Sequence, residues 1–242
     1  SSPLFNFAVS NARTAFGVAL ADVMAVATTP ATATKDKIVA ELRLINKRAF
    51  IVFSFRVKFK SEKKIDITDK TISTYLEYFM DAFLINKASR YDVKGKKYIN
   101  SPYKYYFEDV GLRNARLNFR QVDKGHIMEN IIYNELIRRG YNVDVGVVKA
   151  YGKNEEGKRT EIPYEVDFIC NQGSRKIYVQ SAYEMYSTEK SLQERKSLIN
   201  IDDSFKKIIV VKDASKPMMD DYGIITMGIY YFLENEDSLD VF

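Results

Sequence analysis

The sequence predicts an α/β protein, α+β overall, with helices leading in from its first half and a mixed sheet in its second. Two observations carry this expectation. From Gly125, apolar Ile127, Met128, Ile131, Ile132, Leu136 and Ile137 recur at helical spacing until Gly140 stops the helix. Strand-like segments follow at Val143–Ala150, Ile162–Cys170, Lys176–Ser181 and Lys206–Val211, interrupted by a charged helix from Thr188 through Leu198. Strands alternating with helices, and hairpin turns between neighbouring strands, make a sheet of mixed direction. Gly223–Met227 then reads as a short strand, and Ile229–Leu233 opens a last helix.

The totals narrow the class. In 242 residues, 46% are hydrophobic and 29% charged, the balance of a globular chain that buries a core. No apolar run approaches the roughly 20 residues of a membrane span. Phe16–Ala27 is short and broken by Asp22. A membrane partner is therefore not expected, and a cytoplasmic setting is. The single cysteine, Cys170, excludes an internal disulfide and a cysteine-based zinc cluster. A net charge of +5 and a pI of 9.0 fit a nucleic-acid partner, double-stranded DNA among them.

The division expected is residues 1–115 as a helical domain and 116–242 as the α/β domain. Ala12–Ala27 reads as a helix, residues 28–34 as a loop around Pro30, and Lys35–Leu44 as a second helix. Ala49–Phe55 is strand-like and Arg56–Lys64 basic. Thr68 then caps a helix with Ile72, Tyr75, Leu76, Phe79 and Phe83 on one stripe. Phe83–Tyr91 reads as a strand, Asp92–Gly95 as a turn, and Lys97–Asn100 as a returning strand. Pro102 and the aromatic run Tyr103–Phe107 come next, the run expected in the core. A helix followed by a hairpin with a basic tip is the back half of a winged helix, which sets its helix in a groove and its hairpin against phosphates. Lys70, Lys87, Arg90, Lys94, Lys96 and Lys97 would supply the positive surface. A solvated lysine-rich loop on a protein-binding domain is the alternative.

One constellation in the second half carries chemistry. Alternation puts Val166 and Phe168 on one face of their strand and Glu165 with Asp167 on the other. A helix acid (Glu129), a strand acid (Asp167) and a strand amide (Gln180) are then placed to converge. This order resembles the helix–strand–strand–strand core of the PD-(D/E)XK, or restriction-endonuclease-like, fold. The resemblance implies a site on Glu129, Asp167 and Gln180, with Asp167, Glu165 and Glu129 as ligands for an Mg2+ or Mn2+ cofactor. Where the family has Glu-x-Lys, this chain has Gln180-Ser-Ala182: a neutral carbonyl stands for an acid, and nothing stands for the lysine. Lys190 is a candidate stand-in. Two readings stay open, a degenerate metal site and a set of hydrogen-bonded structural carboxylates, and the third motif favours the latter. His126, the only histidine, is expected to make a local bond at the helix start, and Cys170 to be a small buried side chain.

A more specific resemblance runs through Asp69–Tyr78, Asp81–Ile85, Arg90–Tyr98, Lys104–Asn114, Gly125–Asn130, Tyr133–Tyr141 and Glu165–Phe168. In this order and spacing the strings resemble the C-terminal half of prokaryotic AAA-type ATPases carrying domain of unknown function 4143, over Ile65–Phe242. The resemblance implies a winged helix, then a nuclease-like domain, both behind a P-loop ATPase domain. A P-loop needs Gly-x-x-x-x-Gly-Lys-Ser/Thr, which this chain lacks, so ATP enters only through a domain absent from it. The expected function is a nucleic-acid-binding or regulatory C-terminal module without catalysis of its own. An Mg2+- or Mn2+-dependent endonuclease and a protein-interaction platform are the alternatives.

Overall fold

The computed structural model describes residues 68–116, 123–153, 159–183 and 188–242. The helices, strand and basic patch expected before residue 68 lie outside the described residues, as does the side chain of Lys190.

The chain divides into two compact units. In the first, the described residues 68–87 and 107–109 include helix α1 (Asp69–Asp81). Thr68 caps it, its hydroxyl oxygen accepting from the Thr71 N–H at 3.1 Å, and Ile72, Leu76 and Phe79 are buried along one stripe. The stripe stops short of Phe83. The helix ends at Asp81, and Phe83 follows in the left-handed region (φ 52°) with 80% of its surface exposed.

The second unit, residues 88–106 and 110–242, holds most of an eight-stranded sheet. Its strands are β1 (Ile85–Asp92), β2 (Lys97–Phe107), β3 (Asn142–Lys153), β4 (Arg159–Gln172), β5 (Arg175–Ala182), β6 (Lys206–Val211), β7 (Met218–Met219) and β8 (Ile224–Gly228). The order across the sheet is β2-β1-β3-β4-β5-β6-β8-β7. β1 runs parallel to β3, β3–β4 and β4–β5 are antiparallel, and β5–β6 and β6–β8 are parallel. The expected mixed sheet is therefore present, and it also takes in the hairpin. Parallel pairing of Arg90, Tyr91 and Asp92 with Val145, Gly146 and Val147 joins β1 to it, so the expected division at residue 115 runs between strands of one sheet. β2 continues through Pro102 into the aromatic run. It lies at the sheet edge, where a missing N–H breaks no inner ladder.

Helices α2 (Val110–Arg116), α3 (Lys124–Arg138), α4 (Thr188–Ile199) and α5 (Ile229–Glu234) complete the described elements with a 3-10 turn at Glu236–Leu239. Strict alternation along β5 and β6 sorts their side chains into two cores. Ile177, Val179, Ile208 and Val210 pack with Met128, Ile132, Tyr133 and Leu136 of α3 and with Phe232 of α5. Tyr178, Ala182, Ile209 and Val211 pack on the other side with Leu198 of α4 and Ile201. Gly140 ends α3 at φ 82°, as its position implies.

Arg139, the residue that closes α3, ties the chain's last turns to the helix. Its Nε donates to Glu135 at 2.7 Å, Nη1 to the Ser238 hydroxyl at 2.8 Å, and Nη2 to the carbonyls of Phe232 and Asn235. The guanidinium also lies 4.6 Å over the Phe232 ring. Truncation removes these bonds together, although Glu135 keeps Arg138 and the Phe232 carbonyl keeps the Ser238 hydroxyl. Arg139→Ala should therefore lose about 3 kcal/mol of stability, read from urea unfolding. An unchanged midpoint would show that the C-terminal turns are held by packing alone.

Candidate functional site

β4 does not alternate as its sequence suggests. Asp144 pairs with Ile169 and Gly146 with Val166, so Asp167 and Phe168 together oppose the single residue Val145. This is a β-bulge, and it flips the pattern: Val166 belongs to the core under α4 and Phe168 to the core under α3. The expectation that both share a face is thus corrected by one extra residue. Gly146 sits where the strands crowd, since a Cβ there would come within 2.9 Å of Val166.

The bulge also ends the β4–β5 ladder at Phe168–Val179. Side chains take over from there. The Gln180 amide oxygen accepts from the Asp167 N–H at 3.2 Å, and the Asp167 carboxylate accepts from the Ser181 N–H at 2.9 Å. Both backbone donors would otherwise be orphaned in a buried place. The Gln180 amide nitrogen donates to Glu194 of α4 at 3.0 Å. Gln180 is therefore a structural bridge toward α4, and no contact brings it to Glu129.

Glu129, Glu165 and Asp167 do converge, on a residue that the spacing of the motifs did not single out. Lys104 of β2 places its ammonium 2.8 Å from Glu129, 2.7 Å from Glu165 and 3.7 Å from Asp167. Tyr106, two residues on and so on the same face of β2, donates its hydroxyl to the same Glu129 oxygen at 2.8 Å. Tyr106 in turn stacks on Tyr133 of α3 at 4.0 Å between ring centroids, which fixes the strand against the helix that carries Glu129. Arg90 completes the cluster, donating to Glu165 at 2.6 Å.

The electrostatics follow from this crowding. Burial works against the Lys104 charge, but Tyr106, Glu129, Asp167 and Glu165 outweigh it and hold the amine well above the usual lysine range. Burial raises the Glu165 carboxyl, and Lys104 and Arg90 more than reverse that, leaving it below its ordinary value. Burial first, and then the charge of Glu129, push Asp167 up to about 8.

These residues do not fit a divalent cation as they stand. The Lys104 ammonium occupies the point on which the three carboxylates converge, and an Mg2+ or Mn2+ there would meet a like charge at bonding distance. Asp167 is spent on Ser181, and Gln180 on Asp167 and Glu194. Among the described residues, no group of three or more His, Cys, Asp and Glu side chains is arranged to hold a metal ion.

The other candidates are placed as follows. Lys70 on α1 and Lys87 on β1 are exposed and belong to the first unit. Lys94, Lys96 and Lys97 are exposed at the hairpin end, with Lys94 3.7 Å from Asp202. Arg90 parts from this set, being buried and bonded to Glu165, so it offers nothing to a phosphate. His126 sits in the first turn of α3 and contacts the capping Asp123 at 2.8 Å. Cys170 is buried, and burial pushes its thiol up, so it is inert.

Comparison with known proteins places this geometry among domains of unknown function. Residues 124–232, which include α3, Glu129, Asp167 and Gln180, match the family model of domain of unknown function 4143. Residues 56–123, which include Arg90, Lys104 and Tyr106, match that of domain of unknown function 8612. The Lys104 cluster thus draws its cations from one matched region and its carboxylates from the other. An uncharacterized protein of Haemophilus influenzae is 33% identical over 150 residues, 62% of this chain and 34% of its own length. One of Methanocaldococcus jannaschii is 36% identical over 124 residues, 51% of this chain and 25% of its own length. The chain thus aligns with about a third and a quarter of these curated relatives. No solved structure matches it. No described helix is long and apolar enough to cross a membrane.

The Asp167 proton gives a test with a definite sign. Its folded value, about 8, lies above the ordinary 3.8, so the folded state holds the proton more tightly than the unfolded chain. Stability from this group is present below 3.8 and lost as pH rises toward 8. Asp167→Asn keeps an oxygen for the Ser181 N–H and carries no charge. It should abolish that decline and exceed the parent in stability at pH 8, measured as urea midpoints against pH. Parallel curves for the two proteins would mean that Asp167 is ionised throughout.

Proposed function

We propose that this chain is the non-catalytic C-terminal module of an AAA-type ATPase, a nucleic-acid-binding or regulatory unit built on a nuclease-shaped scaffold. One observation carries the reading: the Lys104 ammonium among Glu129, Glu165 and Asp167. Phosphodiester hydrolysis of the metal-assisted kind needs an open cation position and a polarised water beside it. Here an internal cation fills that position, and the acid and lysine of the third motif are replaced by Gln180 and Ala182. ATP turnover belongs to a P-loop domain outside this chain. The match of residues 124–232 to domain of unknown function 4143 supports the ATPase assignment, because the quoted strings resemble that class. The exposed lysines at the hairpin end support a nucleic-acid role, and their phosphate contacts would weaken with salt.

The convergence of three carboxylates favours one second reading, a Mn2+-dependent endonuclease in which Lys104 moves aside. Plasmid incubated with the purified protein and Mg2+ or Mn2+ distinguishes the two. The expected result is intact supercoiled DNA at every metal concentration. Nicking that disappears in Asp167→Ala would replace this reading with the endonuclease.

A further inference from the structure

Away from the carboxylate cluster, the second unit carries an aromatic surface whose Tyr91 packs on the core and whose Tyr98 and Phe205 stay exposed. Tyr98 of β2 is 60% exposed and packs edge-on against Tyr91 of β1, with 5.2 Å between ring centroids. Lys176 of β5 extends over Tyr91 at 5.7 Å and over Phe205 at 5.2 Å, and Phe205 is itself 40% exposed. The Lys176 ammonium thus lies over two of the three rings and Tyr98 joins them through Tyr91, with Lys94 and Lys96 on the adjoining turn and Lys97 opening β2.

The carboxylates at this surface are engaged. Asp144 accepts the Tyr98 hydroxyl at 3.1 Å, Asp203 accepts the Tyr178 hydroxyl at 2.5 Å, and Asp202 faces Lys94. Asp92, which accepts from the Gly95 N–H in the lysine-bearing turn, is a fourth carboxylate, so the four lysines leave no positive excess to hold a duplex by phosphate contacts alone. Exposed rings add what the charge lacks, because every base has a face to stack and stacking tolerates any sequence. A duplex hides those faces, and a single strand presents them.

We propose that the Tyr91–Tyr98–Phe205 surface binds single-stranded nucleic acid, bases stacking on Tyr98 and Phe205 and the backbone following Lys94, Lys97 and Lys176. The inference rests on the nucleic-acid half of the proposed function and specifies its substrate class. It explains why Tyr98 is presented with a fixed ring: the bond to Asp144 and the edge contact with Tyr91 restrict its rotation before any base arrives.

Fluorescence anisotropy tests it, with labelled oligo-dT of about 20 nucleotides and a duplex of the same length, in roughly 50 and 200 mM salt. The expected result is tighter binding of the single strand and a shallow salt dependence. Tyr98→Ala and Phe205→Ala should each weaken oligo-dT about tenfold, while Tyr98→Phe stays within about twofold of the parent. Thermal melts of the variants exclude unfolding as the cause. A duplex bound as tightly as the single strand, or Tyr98→Ala unchanged beside a Lys94→Glu/Lys97→Glu double variant that has lost binding, overturns the stacking surface and leaves the proposed function standing. No retention of either probe at the lower salt overturns both.

Discussion

The geometry of this protein turns on a buried ammonium shared by three carboxylates. Lys104 reaches them from an edge strand, Glu129 from a helix, and Glu165 and Asp167 from an inner strand interrupted by a bulge. Taking such groups out of water costs several kcal/mol per ion, which only close pairing and full hydrogen bonding offset. The pairing is met here. Tyr106 and Arg90 supply further donors, and burial together with the charge of Glu129 raises the Asp167 carboxyl. Removing Lys104 therefore strips Glu129 and Asp167 of their nearby ammonium, while Glu165 keeps Arg90 and Glu129 keeps Tyr106. That makes the cluster decisive for how β2, α3 and β4 come together.

The same cluster explains how three acids are held together by a cation of the chain itself. An acid trio in such a fold repels itself unless a cation is present. A divalent ion is one answer and a lysine is another, and the lysine needs no uptake from solution. With the lysine in that place, Gln180 is engaged elsewhere. Gln180 then serves the backbone at the end of a ladder and reaches α4, a task in which an acid would bury one more charge.

Much of the fold was legible because it rests on local pattern. Gly140 ends α3, Thr68 caps α1, and Lys206–Val211 is β6 as its apolar run implies. Those features depend on residues within a few positions of one another. The failures are longer in range. Nothing local announces the bulge at Asp167–Phe168, because it is a mismatch between two strands rather than a property of either. The parallel docking of Arg90–Asp92 on Val145–Val147 is equally invisible, and it turns a hairpin read as a basic wing into part of the sheet. Order on helix and strand predicts that Glu129, Asp167 and Gln180 converge; Glu129 and Asp167 meet, joined by Glu165, and Gln180 turns to Glu194. Lys104 was missed because it lies on a different element, inside an aromatic run taken for core. One signal was available: Lys104 and Tyr106 stand two apart on a strand, so a lone cation shares a face with a polar aromatic in an otherwise apolar run.

The central claim is that Lys104 serves as the cation of this acid cluster. A double-mutant cycle on Lys104→Met and Glu129→Gln, read from urea unfolding near neutral pH, tests it most directly. Neutralising Glu129 should recover part of what loss of the ammonium costs, giving a coupling energy of about 2 kcal/mol between the two sites. Losses that add to within about 0.5 kcal/mol would show that the two groups are merely neighbours, and the account would fail.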